Sequence, residues 1–113
     1  MKADTKKIDK RREAKQLLVR LWPDVFNFEK PRPLKIGIID DMVISIREMG
    51  VPLLLSDIKF CLRTYTLRVR YQKCLIKGGY RYDLNGEPCG IVTLEQEIMA
   101  RNTLRNMIKK SKA

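Results

Sequence analysis

Apolar side chains recur at helical spacing through most of this chain. Ala14, Leu17, Leu18 and Leu21 share one stripe, which predicts a helix from about residue 11 that Pro23 ends near Trp22. Residues 27–33 hold Pro31 and Pro33 and read as an extended connector. Ile36, Ile39, Val43 and Ile46 place a second helix over residues 34–49, with Gly50 as its stop. Pro52 and Ser56 introduce a third helical stretch, Ser56 being a good N-cap before Asp57. It reaches about residue 75, and the β-branched Thr64 and Thr66 mark where it would break.

Gly78-Gly79 ends that stretch and the pattern changes. The run YRYDL, then Asn85-Gly86, then EPCGIV predicts a hairpin, because Asn-Gly suits a type I′ turn with positive φ at both central residues. Pro88 confines the returning strand to a sheet edge or delays its pairing. Thr93 and Gln96 have capping-box spacing and open a last helix to about residue 108. Lys109, Lys110 and Lys112 suit the negative end of its dipole and are placed to touch a polyanion. The fold class is therefore mainly α with a small β-hairpin (α+β), as a single domain over residues 11–113. Residues 1–10 are charged and poor in apolar side chains, and are expected to be flexible or to fold on a partner.

Composition narrows function mainly by exclusion. A chain of 113 residues with 44% hydrophobic side chains suits one domain with a modest core. The 24 Lys+Arg against 13 Asp+Glu leave a net charge of +11, which predicts an acidic partner. No apolar run approaches the ~20 residues of a membrane helix, and no apolar signal stretch follows the basic N-terminus. A cytoplasmic location without a membrane partner is expected. Cys61, Cys74 and Cys89 include no CxxC pair, which argues against a disulfide framework and a zinc site, and Cys61 reads as a small core residue. Histidine is absent, removing the commonest general base and the usual zinc ligand. Phosphate-loop, dinucleotide and HExxH motifs are also missing. The adjacent Asp40-Asp41 pair points about 100° apart on a helix and reads as a solvated face or a helix-end charge. No enzymatic activity, cofactor or metal is expected.

Charge is distributed unevenly. Between Asp57 and Asp83 there is no acidic residue, yet the window holds Lys59, Arg63, Arg68, Arg70, Lys73, Lys77 and Arg81 together with all four tyrosines, Tyr65, Tyr71, Tyr80 and Tyr82. Cations neutralise phosphates and aromatic rings stack on unpaired bases, so the window reads as a nucleic-acid surface. On an unbroken helix Lys59, Arg63, Arg70 and Lys73 fall within an arc of about 80°. Ile58, Leu62, Tyr65 and Val69 form a separate apolar stripe. A kink at Thr66 would re-aim Arg70 and Lys73. A basic face that is merely solvated is the plain alternative, though no carboxylate intersperses these cations. Tyr65 reads equally as core or as a stacking ring, and Tyr71, off the apolar stripe, as the better base contact. Tyr80 and Tyr82 share one strand face while Arg81 projects from the other.

The segments RPLKIGI, LRTYT, RY (Arg70-Tyr71) and RYDLNGEPCG stand in the order and spacing of FinO/ProQ-type RNA-chaperone domains, a bacterial group that the chain resembles from about residue 15 to 110. That resemblance implies a mainly helical domain with a small hairpin. It also implies recognition of a terminator-like stem and its single-stranded 3′ tail in small RNAs and messenger 3′ regions. By the same resemblance Lys35, Lys59, Arg63, Arg70, Tyr71 and Arg81 match RNA-contacting positions, and Tyr65 and Thr66 match a pocket-lining pair. Val69 departs from an aromatic residue found in some members, and Lys59 from an arginine. The long linker and second domain of larger members are not seen, as expected of a minimal member or an excised domain.

The expected mechanism joins both readings. Lys59, Arg63, Arg70 and Lys73 grip duplex phosphates, while Tyr71 and Arg81, with Lys35, hold the terminal nucleotides. A monomer that shields RNA 3′ ends and supports RNA–RNA pairing in post-transcriptional regulation follows. The alternatives are a general double-stranded nucleic-acid binder without 3′-end recognition, or a basic protein-interaction module.

Overall fold

The computed structural model describes the backbone of residues 2–112 and the side chains of residues 9–111. The elements run in the order α1 (Lys2–Leu21), α2 (Ile38–Met49), α3 (Leu55–Thr66), α4 (Val69–Lys77), β1 (Tyr80–Tyr82), β2 (Pro88–Ile91) and α5 (Leu94–Lys112). Helices with one antiparallel hairpin are the architecture that the hydrophobic pattern predicts. Helix α1 begins at Lys2 rather than near residue 11, so the backbone of the segment expected to be flexible is helical from that point. Met1 and the side chains before Asp9 lie outside the described residues.

Leu18 of α1, Met42 of α2 and Tyr65 of α3 belong to one buried cluster and are fully enclosed. The connector after α1 is more than a spacer, since Val25, Phe26, Phe28 and Leu34 are buried in the same cluster. Tyr65 lies edge-on to Phe26 at 4.9 Å and to Phe28 at 4.8 Å, and is tilted against Tyr71 at 5.5 Å. Such ring pairs add about 0.5–1.5 kcal/mol each beyond the area they bury. The Trp22 indole N–H donates to Ser45 Oγ at 2.9 Å, tying the end of α1 to α2. Cys61 is a buried core residue, as its sequence setting suggests.

Several local boundaries differ from the sequence pattern, each for a backbone reason. Helix α2 starts at Ile38 rather than at residue 34, because residues 33–35 run beside β1. There Tyr82 N–H donates to Pro33 O at 2.8 Å and Lys35 N–H donates to Tyr82 O at 2.9 Å. At the other end Gly50 takes φ of 68°, and Val51 N–H reaches Ile46 O at 3.1 Å, a Schellman closure. Leu54, not Ser56, is the N-cap of α3, and its N–H donates to the Asp57 carboxylate at 3.0 Å. The long third helix divides at Leu67 and Arg68. Thr64 Oγ1 donates back to Phe60 O at 2.9 Å, a contact that bends helices, and Gln72 Nε2 closes the end of α3 on Thr66 O at 2.7 Å.

The hairpin forms with a different turn. Gly86 N–H donates to Asp83 O at 2.9 Å, so Leu84 and Asn85 are central and Gly86 alone in the turn has positive φ, 78°. The Asp83 carboxylate accepts from Asn85 N–H at 2.9 Å and Glu87 N–H at 3.0 Å, which sets the turn one residue earlier than Asn-Gly implies. Pro88 pairs opposite Tyr82, with a register irregularity between Tyr82 and Tyr80. The capping box of α5 is present: Thr93 N–H donates to Gln96 Oε1 at 3.0 Å and Gln96 N–H to Thr93 Oγ1 at 3.2 Å.

Candidate nucleic-acid interface

The break between α3 and α4 rebuilds the basic surface. On one straight helix Tyr71 would point well away from the Tyr65 stripe. The division turns α4 so that both rings enter the core, and the cations of the two helices form two rows instead of one arc. Lys59 and Arg63 are exposed on α3; Arg70, Lys73 and Lys77 are exposed on the outer side of α4. Ile39, Lys59, Arg63 and the half-buried Thr66 line an open hollow of about 450 Å³ between α2 and α3. Arg70 is partly engaged, donating from Nη1 to Glu29 O at 3.2 Å.

Where residues 33–35, α4 and β1 converge, the Leu34 backbone is held at both its N–H and its carbonyl. Tyr71 Oη accepts its N–H at 3.1 Å, and Arg81 Nη1 donates to its carbonyl at 2.7 Å. Arg81 Nη2 donates to Gln96 Oε1 at 3.0 Å, the same oxygen that caps α5. The Arg81 side chain is 7% exposed, and its Nε–H finds no partner among the described residues. Both of its acceptors are neutral. Lys35 and Asp41, 2.7 Å apart, make the one ion pair among the described residues. Arg81 is therefore a buried cation without a counter-ion among the described residues, an arrangement costly to the fold unless an anion comes to it.

These contacts decide the protonation states. The hydrogen bond that the Lys35 ammonium donates to the Asp41 carboxylate raises the Lys35 pKa, so the ammonium stays charged. Burial pushes the Tyr65 phenol up to about 12, against the hydrogen bond to Asn27. Burial also raises Tyr71, opposed by Leu34 N–H and Arg81. The Cys74 thiol is pushed up to about 12 by burial, partly offset by Arg81.

The expectation for Tyr71 needs correction, and of the two readings of Tyr65 one is selected. Tyr71 is not a free stacking face, because its ring is 5% exposed and its hydroxyl is occupied by Leu34. Tyr65 is core: its hydroxyl donates to Asn27 O at 3.1 Å and accepts Asn27 N–H at 3.3 Å. Lys35, Tyr71 and Arg81 do converge, around the Leu34–Lys35 backbone. Gln96, read from sequence as a cap alone, also positions Arg81, and nothing in its local pattern signals that second contact. Asp41 proves to be a helix-end charge in the first turn of α2 and the partner of Lys35. Arg32, within one of the resemblance motifs, stacks over Tyr82 at 4.0 Å and donates to Asp24 O at 2.8 Å.

A family model described as ProQ/FINO matches residues 8–113. The chain belongs to this family. Among its curated ProQ/FINO relatives, the RNA chaperone ProQ of Shewanella amazonensis is 35% identical over 82 residues, which are 73% of this chain and 37% of that protein. The corresponding protein of Shewanella piezotolerans is 34% identical over the same length. The chain thus spans well under half the length of the curated relatives it matches. Two solved family structures share the fold. A ProQ homolog from Legionella pneumophila superimposes with a TM-score of 0.71 at 26% identity, covering 87% of this chain and 82% of that one. A FinO-like RNA chaperone of Neisseria meningitidis gives 0.64 at 27% identity, covering 80% and 93%.

Proposed function

We propose that this chain is an RNA-binding domain that recognises the base of a terminator-like stem together with its single-stranded 3′ tail. The observation that carries the reading is the buried guanidinium of Arg81, without a counter-ion among the described residues, amid carboxylate-free rows of exposed cations. Lys59, Arg63, Arg70 and Lys73 meet the phosphates of the stem, whose deep major groove excludes side chains. Lys35 and Arg81 draw the terminal nucleotides, and Thr66 lines the hollow beside Arg63. Tyr65 and Tyr71 serve as framework: Tyr71 fixes the Leu34 peptide from which Arg81 is aimed. Binding in this way shields the 3′ end of small RNAs and messengers and brings RNAs together for pairing, as a cytoplasmic monomer.

The test is a hairpin measured with and without its 3′ tail across a salt series. About four neutralised phosphates give a slope of log affinity against log salt of roughly −3 to −4. Removing the tail, or blocking its hydroxyl with a phosphate, weakens binding. Arg63→Ala weakens all stem sequences alike and flattens the slope. Indifference to the tail would instead leave a general duplex binder, and negligible binding at physiological salt would leave a protein-interaction module.

A further inference from the structure

A second hollow lies on the opposite flank of α3, toward α1. Arg11 of α1 and Phe60, Arg63, Thr64, Leu67 and Arg68 line a space of about 360 Å³, within the range of small-molecule sites, roughly 300–1,000 Å³. Three guanidiniums border it, none in an ion pair with a described residue, and no carboxylate is among its walls. The Phe60 ring is 41% exposed. The helix break makes this arrangement: Arg68 adopts extended backbone between α3 and α4 and lies over the Phe28 ring at 5.1 Å, so its guanidinium is held on the α1 side. Phe60 and Arg63 line this hollow and the one beside Lys59 and Thr66, forming a ridge between them.

We infer that this hollow binds an unpaired nucleotide of single-stranded RNA, separate from the strand end engaged near Arg81. Arginines supply planar donors for a phosphodiester, and an exposed phenylalanine supplies the sequence-indifferent face on which a base stacks. An acidic protein segment would satisfy the charges but has no use for an exposed ring among arginines. The inference rests on the RNA-binding reading and extends it: a folded transcript and a loose strand of another occupy the two flanks of α3 together. Arg63, on the shared ridge, serves both.

The test uses the full chain saturated with a tailed stem-loop and titrated with fluorescein-labelled octauridine, followed by anisotropy. Octauridine is expected to bind the loaded protein. Phe60→Leu weakens it about tenfold, the equivalent of ~1.4 kcal/mol of stacking, whereas Phe60→Trp retains it. Arg11→Ala weakens it and reduces its salt dependence. Stem-loop affinity is unchanged in Arg11→Ala, the Phe60 variants are compared at saturating stem-loop, and circular dichroism verifies the fold of all three. Displacement of octauridine by the stem-loop, or wild-type binding by Phe60→Leu, overturns the inference. So does equal competition by a hexaglutamate peptide, which would mark an acidic-protein surface. Failure of the 3′-end reading appears separately, as stem-loop affinity that ignores the tail in the absence of octauridine.

Discussion

Replacing Tyr71 by Phe removes one oxygen and keeps the ring, which separates a structural role from a stacking one. That oxygen accepts the buried N–H of Leu34 at 3.1 Å, and phenylalanine offers nothing in its place. A buried donor left unsatisfied costs about 1–3 kcal/mol. With a urea m-value of about 2 kcal/mol/M, the unfolding midpoint falls by roughly 0.5–1.5 M. Fluorescence of Trp22, the single tryptophan, reports the transition from inside the core. The Leu34 carbonyl also accepts from Arg81 at 2.7 Å, so the two side chains hold the two peptide groups that flank the Leu34 Cα. Tyr71→Phe and Arg81→Met should therefore be non-additive by at least about 0.5 kcal/mol. RNA affinity should fall for Tyr71→Phe because the backbone that aims Arg81 is loosened. A midpoint equal to that of the wild-type chain, with RNA binding lost only in Tyr71→Ala, would refute this account and return Tyr71 to base stacking.

Gln96→Glu gives Arg81 a carboxylate where it now has an amide oxygen at 3.0 Å. The fold should gain about 1 kcal/mol while RNA affinity falls, because a charge-assisted hydrogen bond spends the cation internally; unchanged RNA affinity would remove Arg81 from the site. At Gly86 an added Cβ would lie 2.8 Å from Asp24 O, whereas Gly79, also at positive φ, has open space. Gly86→Ala should cost about 1–3 kcal/mol and more than Gly79→Ala, and equal urea midpoints would discount the close approach. Cys74 and Tyr65 are raised from 9.0 and 10.0 to about 12 and are held neutral in the fold. Their contribution is complete below the unfolded values and is lost as pH rises from about 9 toward about 12, because the unfolded chain ionises first. The urea midpoint should fall over that window, less steeply in Cys74→Ala; a midpoint flat across it would contradict the burial of both groups.

The elements legible in sequence are those with a local cause. Pro23 ends α1, Gly50 ends α2, Gly78 ends α4, and Thr93 with Gln96 opens α5 where the capping box predicts. The carboxylate-free window also delivers exposed Lys59, Arg63, Arg70 and Lys73. The boundaries that moved did so through distant contacts. Residues 34–37 have helical periodicity, but Tyr82, far along the chain, pairs with Pro33 and Lys35 on either side of Leu34, and residues 36–37 form a turn before the helix. Tyr71 looks solvent-facing on a continuous helix and becomes core once the α3–α4 break rotates it.

Amino-acid order alone settles the helix-and-hairpin inventory, the excess of positive charge and the carboxylate-free window, since each depends on residues a few positions apart or on simple counting. Which cations stay exposed, and which one is enclosed without a counter-ion, depends on the approach of β1, residues 33–35 and α4. Those segments are joined by hydrogen bonds spanning 37 and 47 residues. Short-range periodicity carries no term for such pairings, so the setting of Arg81 and the burial of Tyr71 emerge only when the chain closes on itself.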